Sequence, residues 1–172
     1  MKKLALVIAI LVMVSIVDAK ASSRRRSALD IAPRFSFYTD FPNTQFGLGG
    51  DVIFNPFKRM GVRLELAELL FNEGTIFFLN HGVLKTMPKI DLLVYMPGYQ
   101  FQPYIHAGFG LVTGEGVTFL IMGGGLGVDY FVSKKMALNF EPGLYFRHAS
   151  NGTSESDLLL RLTAGTKFAV LP

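Results

Sequence analysis

The chain has 172 residues, half of them hydrophobic and 17% charged, which is enough for one domain but not for two. It contains no cysteine, which excludes a lipid-modified cysteine anchor, a disulfide framework and thiolate metal sites. The formal net charge is +4, and without residues 1–21, which carry three of the 17 basic and one of the 13 acidic residues, it is about +2. Charge therefore gives no indication of a nucleic-acid partner.

The first 21 residues have the pattern of a secretory signal peptide. Lys2 and Lys3 precede an apolar stretch over residues 4–17, and Ala19-Lys20-Ala21 carries the small residues of a cleavage site. We predict cleavage after Ala21, with cleavage after Ala19 as the alternative. An uncleaved anchor is disfavoured because the apolar run is short for a membrane-spanning helix. Residues 22–30, which include three arginines, are expected to form a basic tail in the periplasm.

From about residue 31 the apolar residues recur at every second position, the period of a β-strand. Val62, Leu64 and Leu66 are predicted to alternate with Arg63, Glu65 and Ala67, and the same pattern returns in every later segment. Beyond the N-terminal segment no apolar run approaches the roughly 18 residues of a membrane-spanning helix. Short, glycine-interrupted apolar segments are instead typical of a β-barrel whose outer face contacts lipid.

The opposite face of these segments carries small residues and charges of both signs. A narrow barrel interior requires this composition, because glycine fits the space and opposite charges can pair with one another. Glu141 with Arg147, or Arg63 with Glu65, are predicted interior ion pairs. A soluble β-sandwich fits the export signal and the high apolarity less well. The charged residues predicted to line the interior are Asp51, Arg63, Glu65, Asp129, Glu141, Arg147 and Arg161.

Turn residues divide the chain into strands. We predict turns at Phe41-Pro42-Asn43, Asn55-Pro56-Phe57-Lys58, Gly114-Glu115-Gly116, Ser133-Lys134-Lys135 and Asn151-Gly152. Residues 71–88 are either a strand extension or a long loop. Both ends of such a barrel lie in the periplasm, so the strand number is even. The prediction is an all-β protein, an eight-stranded antiparallel transmembrane β-barrel over residues 31–172, in the outer membrane.

One pair of residues near the outer rim has the chemistry of a hydrolase. If the alternation of Leu144 and Phe146 continues, His148 and Ser150 also face the lipid, where a polar side chain is costly without a function. Two positions along one strand face are about 6.6 Å apart, which an imidazole can bridge to a hydroxyl. A histidine that takes the proton of an attacking serine is the minimum for acyl transfer. The pair predicts attack on an ester bond of an outer-leaflet lipid.

The segment His148-Ala149-Ser150-Asn151 resembles the His-x-Ser-Asn signature of the outer-membrane lipid A 3-O-deacylases, the PagL-like family. The resemblance extends upstream, to Gln102–Gly110, which looks like the Pro-aromatic-x-x-Ala-Gly-x-Gly strand of that family. Met122–Gly127 looks like the glycine-rich strand that follows it. The similarity covers roughly residues 90–172 and fades before them.

The resemblance implies a site without metal or cofactor. It makes Ser150 the nucleophile and His148 the base, while Asn151 and Gly152 supply donors to the developing oxyanion. The family has its acid further along than any acid here. Glu155 and Asp157 are the candidates; Asp157 is predicted to face the interior with Arg161, so Glu155 is preferred as the residue that orients His148. The implied partner is lipid A, the membrane anchor of lipopolysaccharide.

Two other functions are open at this point. A non-enzymatic barrel with a structural or adhesion role is the alternative, and its mark would be long outer loops, whereas most loops here are short. A transport pore is disfavoured because side chains fill the interior of an eight-stranded barrel.

His106 and His81 are expected to be structural, and the three histidines have no metal-ligand spacing. The sequence leaves open whether the protein forms a homodimer.

Overall fold

The computed structural model describes residues 27–39, 44–72, 75–78, 87–114, 117–150 and 154–171. These residues form nine strands: β1 (Leu29–Thr39), β2 (Thr44–Phe57), β3 (Met60–Asn72), β4 (Thr75–Phe78), β5 (Met87–Tyr95), β6 (Phe101–Gly114), β7 (Val117–Phe131), β8 (Met136–Ser150) and β9 (Ser154–Leu171). No helix long and apolar enough to cross a bilayer occurs among them. The predicted signal peptide lies outside the described residues, and β1 begins two residues before the predicted start of the barrel.

The strands close into a ring. Each strand pairs antiparallel with the next in the chain, except that β4 and β5 do not pair with each other. β1 pairs with β9, which closes the ring. β4 and β5 both pair with β3, β4 along residues 69–72 and β5 along residues 60–65, so they share one position in the ring. The ring therefore has eight positions, held in order by β1, β2, β3, β4 with β5, β6, β7, β8 and β9. The predicted eight-stranded antiparallel barrel is confirmed.

The barrel is apolar outside and polar inside, as the alternating sequence predicts. In β8, Phe140 is 49% exposed while its neighbour Glu141 is 4% exposed, because successive side chains of a strand point to opposite faces. A soluble protein would bury the phenylalanine and expose the glutamate. This inverted arrangement is that of a transmembrane barrel, and it excludes the soluble sandwich. The charged residues predicted to line the interior are buried, except Arg147, which is half-buried: Asp51, Arg63, Glu65, Asp129, Glu141 and Arg161.

A β-bulge in β3 breaks the predicted alternation. Gly50 pairs with Ala67 but the next residue of β2, Asp51, pairs with Glu65, so Leu66 is an extra residue in β3 relative to β2. Beyond the bulge the inward position falls on Glu68, which is buried, and not on residue 67 as predicted. The bulge therefore brings a second glutamate of β3 into the interior.

The connection between β2 and β3 also differs from the predicted turn. The predicted turn began at Asn55, but β2 continues to Phe57 and only Lys58 and Arg59 form the turn. Asn55 is buried, and its amide donates to a carboxylate oxygen of Asp30 at 2.9 Å and to the carbonyl of Ser27 at 2.9 Å. These two bonds explain why Asn55 belongs to the barrel wall. The predicted Ser133–Lys135 turn is confirmed between β7 and β8.

Both ends of the barrel wall meet at one rim. Leu29, the first residue of β1, is paired with Leu171, the last residue of β9. Just inside this rim a small apolar and aromatic cluster fills the interior, and Tyr95 and Tyr104 pack edge to face within it at 5.4 Å between ring centroids. The interior thus has an apolar layer near the chain ends and a charged layer beyond it. The cluster consists of Ala32, Ile53, Leu93, Tyr95 and Tyr104.

Candidate functional site

The charged layer of the interior is centred on Arg63. Its guanidinium lies 2.6 Å from a carboxylate oxygen of Glu141 and 2.8 Å from one of Asp91. Arg63 projects from β3, Glu141 from β8 and Asp91 from β5, so the three side chains come from well-separated parts of the chain. All three are at most 4% exposed. A buried arginine with two carboxylate partners satisfies charges that would otherwise be very costly to remove from water.

A second group of charges surrounds Arg34 on β1. Its guanidinium contacts Asp51, and one of its nitrogens lies 3.1 Å from Glu65 and 3.2 Å from Glu68. Glu65 also accepts from Arg161 of β9 at 2.7 Å. The bulge in β3 explains how two glutamates three residues apart both reach the same arginine. The group therefore ties four neighbouring strands together.

Lys89 joins the two groups. Its ammonium lies 3.0 Å from Glu65 and 2.8 Å from Asp91. It therefore bridges a carboxylate that pairs with Arg34 and a carboxylate that pairs with Arg63. Lys167 extends the network toward the chain ends, since its ammonium lies 2.8 Å from Asp129 and 4.3 Å from the centre of the Tyr104 ring. The groups of Arg34 and Arg63 are therefore connected through Lys89, and the Lys167–Asp129 pair lies beside them at Tyr104.

Of the two predicted interior ion pairs, Arg63 with Glu65 is present and Glu141 with Arg147 is not. Glu141 pairs with Arg63 and not with Arg147, which is six residues away on the same strand. Arg63 and Glu65 are 4.0 Å apart, a longer contact than Arg63 makes with Asp91 or Glu141. Lys89 and Lys167 were not predicted as interior residues. Both occupy inward positions of the alternation, which was the signal that could have identified them.

His106 faces the interior, as predicted. Its Nδ1 lies 3.3 Å from a guanidinium nitrogen of Arg63, and its Nε2 lies 3.7 Å from a carboxylate oxygen of Glu141. The side chain is therefore part of the charged layer and far from the outer surface. No group of three or more histidines and carboxylates suited to a metal ion occurs in the described part of the chain. The second histidine expected to be structural, His81, lies outside the described residues.

His148 lies on the lipid-facing side of β8, as its place in the alternation predicts. Its ring is nearly parallel to that of Phe146, with 6.4 Å between centroids and an interplanar angle of 6°. Phe146 is 41% exposed on the outer face, so the two rings share that face. The strand register places Leu120 of β7 on one side of His148 and Ser156 of β9 on the other. The imidazole is thus positioned at the outer wall of the barrel.

The other residues of the predicted hydrolase site are only partly described. Ser150 is the last residue of β8 and is paired with Ser154, whereas Asn151 and Gly152 lie outside the described residues. Glu155 is paired with Ala149 and Asp157 with Arg147, so both acids occupy the same alternation as Arg161. The backbone positions of Glu155 and Asp157 alternate together, so the preference for Glu155 stays a prediction. The residue opposite His148 is Ser156.

Comparison with known proteins identifies the fold. The chain resembles a de novo designed transmembrane β-barrel (TM-score 0.52, 15% identity), covering 86% of this chain and 99% of that one. It also resembles Neisserial surface protein A (TM-score 0.55, 13% identity, 83% and 96% covered). A third similar structure is the N-terminal β-barrel domain of Pseudomonas aeruginosa OprF (TM-score 0.51, 14% identity, 81% and 96% covered).

These structures share the fold of this chain, an eight-stranded barrel of the outer-membrane type. No protein-family model matches the chain. No curated protein matches it either. The likeness to lipid A deacylases therefore rests on the sequence motifs at residues 102–110, 122–127 and 148–151.

Proposed function

We propose that this chain is an integral outer-membrane barrel with a structural role and a closed, non-conducting interior. One observation carries the proposal, namely the ion pair of Arg63 and Glu141. β3 and β8 occupy the third and seventh positions of the ring, so these side chains reach each other from opposite walls. The apolar layer near the chain ends lies in the same lumen, and side chains are expected to fill the interior of a barrel of eight strands.

The length of the connections favours a structural role over adhesion through long loops. At the rim away from the chain ends, β1 and β2 are joined by four residues, β6 and β7 by two and β8 and β9 by three. The longest segment there lies between β4 and β5, over residues 79–86. Short connections offer little surface for a macromolecular partner, because stable protein interfaces bury about 800 Å² on each side.

The experiment that tests this role has two measurements. In planar lipid bilayers the refolded protein is expected to give no stepwise conductance. In cells that lack the protein, entry of a hydrophobic dye through the outer membrane should rise. The wild-type chain and a His148→Asn/Ser150→Ala variant should restore the barrier equally. Ion conductance by the wild-type barrel, or restoration that needs His148 and Ser150, would contradict a purely structural role.

A second candidate, hydrolysis of an ester-linked acyl chain of lipid A, is favoured by the position of His148. A histidine on the lipid-facing side is unusual, because a polar side chain is costly to place against lipid. Such a position is suited to a base that acts on a lipid at the outer wall. Ser150, two residues along the same strand, is the proposed nucleophile, and Asn151 and Gly152 are the proposed oxyanion donors.

The second candidate also requires an acid that orients the imidazole of His148. The register pairs Glu155 with Ala149 and Ser156 with His148, so Glu155 is the neighbour of the residue opposite His148. In a serine protease the replacement of the orienting acid by its amide lowers turnover about 10⁴-fold. Glu155 is therefore the acid to test first.

Mass spectrometry of lipid A from cells that express the barrel tests the esterase candidate. Loss of one hydroxyacyl chain is expected with the wild-type protein and not with His148→Asn or Ser150→Ala. Ser154→Ala is the matched control, since it removes a serine from the paired position of β9 and should leave hydrolysis intact. Unchanged lipid A with the wild-type barrel, shown by its gel mobility to be folded, would exclude the esterase.

A further inference from the structure

The rim that carries the chain ends is formed by three connections and the two termini. The connections are residues 58–59 between β2 and β3, 96–100 between β5 and β6, and 132–135 between β7 and β8. Backbone hydrogen bonds join them to the neighbouring strands: Tyr95 donates to Arg59, Phe131 to Gln100 and Ala169 to Lys135, at 2.8–2.9 Å. This rim is therefore an ordered part of the barrel.

The exposed charges of this rim are all positive. Lys58, Arg59, Lys134 and Lys135 are exposed, and none of the residues in the three connections is acidic. The acids closest to the rim in sequence, Asp30 and Asp129, belong to the interior and are buried. Outside the described residues, the sequence adds three consecutive arginines at positions 24–26. The described part of the rim therefore carries four exposed cations, two at each of two turns, and no exposed acid in the three connections.

Exposed apolar side chains accompany the charges on the outer wall. Phe57 is 66% exposed beside the Lys58–Arg59 turn, and Val132 is 53% exposed beside the Lys134–Lys135 turn. Tyr99 and Phe101 are 70% and 62% exposed at the connection between β5 and β6. Aromatic residues at the level of the headgroups, next to lysines and arginines, are typical of a surface that lies at a membrane interface.

The arrangement around the ring distinguishes lipid from a macromolecular partner. The Lys58–Arg59 turn lies between the second and third positions of the ring, and the Lys134–Lys135 turn lies between the sixth and seventh. These two turns are on opposite sides of the barrel, four positions apart. A compact acidic protein would contact one of them, whereas the lipids of a leaflet surround the barrel and contact both.

We propose that this basic rim, formed by Lys58, Arg59, Lys134 and Lys135, binds the phosphate groups of anionic phospholipids in the leaflet that it faces. The aromatic and apolar side chains beside it hold the rim at headgroup depth, and the cations then concentrate anionic lipid around the barrel. The inference holds for either function proposed above, because it depends only on the transmembrane barrel and its charge distribution.

Lipid selectivity in vesicles tests the proposal. The refolded barrel is placed in phosphatidylcholine vesicles, and spin-labelled phosphatidylglycerol and phosphatidylcholine are compared by the fraction that is motionally restricted at the protein. We expect the wild-type barrel to favour phosphatidylglycerol roughly two- to fourfold in low salt. In 1 M salt, where the Debye length is about 3 Å, the preference should fall to about one.

Two variants test whether the four cations cause the preference for phosphatidylglycerol. A variant in which all four cations become glutamine is expected to lose the preference. A charge-retaining variant, Lys58→Arg/Arg59→Lys/Lys134→Arg/Lys135→Arg, is expected to keep it. The shift in gel mobility on heating establishes that each variant is folded in the vesicles. All four side chains are exposed and outside the barrel wall, so we expect folding to be retained.

Three results of the lipid experiment would overturn the proposal. These are a wild-type barrel without preference, a glutamine variant as selective as the wild type, and a charge-retaining variant without preference. Binding of acidic peptidoglycan fragments that depends on the four cations, without any lipid preference, would assign the rim to a different partner and would also overturn it.

Discussion

The guanidinium of Arg63 and the carboxylate of Glu141 meet at 2.6 Å across the full width of the barrel, from strands four positions apart in the ring. The pair therefore spans the lumen and links opposite walls. Its two partners lie 78 residues apart in the chain, so it forms only when the ring is complete. This relationship makes the charged layer a connection between strands that are not neighbours in the ring.

Removal of Arg63 should strongly destabilise the barrel. Arg63→Met leaves Glu141 buried without its closest cation, while Asp91 keeps Lys89 at 2.8 Å. We expect a loss of about 3–5 kcal/mol in the free energy of unfolding, the range observed when one partner of a buried ion pair is removed. Urea unfolding in phospholipid vesicles, followed by gel mobility, measures it.

A double-mutant cycle measures the free energy of interaction between Arg63 and Glu141. The double variant Arg63→Met/Glu141→Gln should be less destabilised than the sum of the single variants, by about 1–3 kcal/mol. The exposed Lys134→Met variant is the control and should change stability by less than about 0.5 kcal/mol. Additive effects of the two single substitutions would mean that Arg63 and Glu141 do not stabilise each other.

Loss of one carboxylate around Arg34 should destabilise the barrel less than loss of Arg34 itself. Glu68→Gln leaves Arg34 with Asp51 and Glu65, so we expect a cost of about 1–2 kcal/mol. Arg34→Met leaves three buried carboxylates with fewer cations and should cost about 3–5 kcal/mol. The same unfolding assay compares the two variants. Equal costs would indicate that Glu68 has no substitute among the neighbouring carboxylates.

Two glycines offer a matched test of packing in the barrel. A Cβ at Gly127 would overlap the Tyr104 ring, whereas a Cβ at Gly50 meets no atom within 4 Å. Gly127→Ala should therefore lower the free energy of unfolding by about 1–3 kcal/mol through overpacking. Gly50→Ala should leave it unchanged within about 0.5 kcal/mol. If both variants unfold at the same urea concentration, the Tyr104 ring does not pack against Gly127.

The depth of the lipid-facing side chains can be measured with arginine substitutions. Leu144 near the middle of β8 and Val132 at the rim are equally exposed, at 54% and 53%. Leu144→Arg should cost about 2–4 kcal/mol, because it puts a charge near the centre of the bilayer, while Val132→Arg should cost about 0–1 kcal/mol. Equal costs in vesicles would be inconsistent with a membrane-spanning wall at Leu144.

The strand alternation alone identified most of the barrel. It predicted eight strands, placed Asp51, Arg63, Glu65 and Glu141 in the interior and gave His148 its outward position. These predictions hold because neighbouring side chains of a strand must face opposite sides. Once the apolar residues are placed on the outer face, the residues between them must face the interior. The inverted polarity was equally readable, since soluble proteins mostly expose their charged residues and bury their phenylalanines.

The tertiary structure decided which charges meet. The sequence predicted Glu141 with Arg147, but an inward residue finds its partner across the lumen, and that partner depends on ring closure and strand register. The bulge at Leu66 shifted the alternation by one residue and brought Glu68 to Arg34. Local alternation is fixed by the geometry of a single strand, whereas these pairings arise only from the hydrogen bonds between strands.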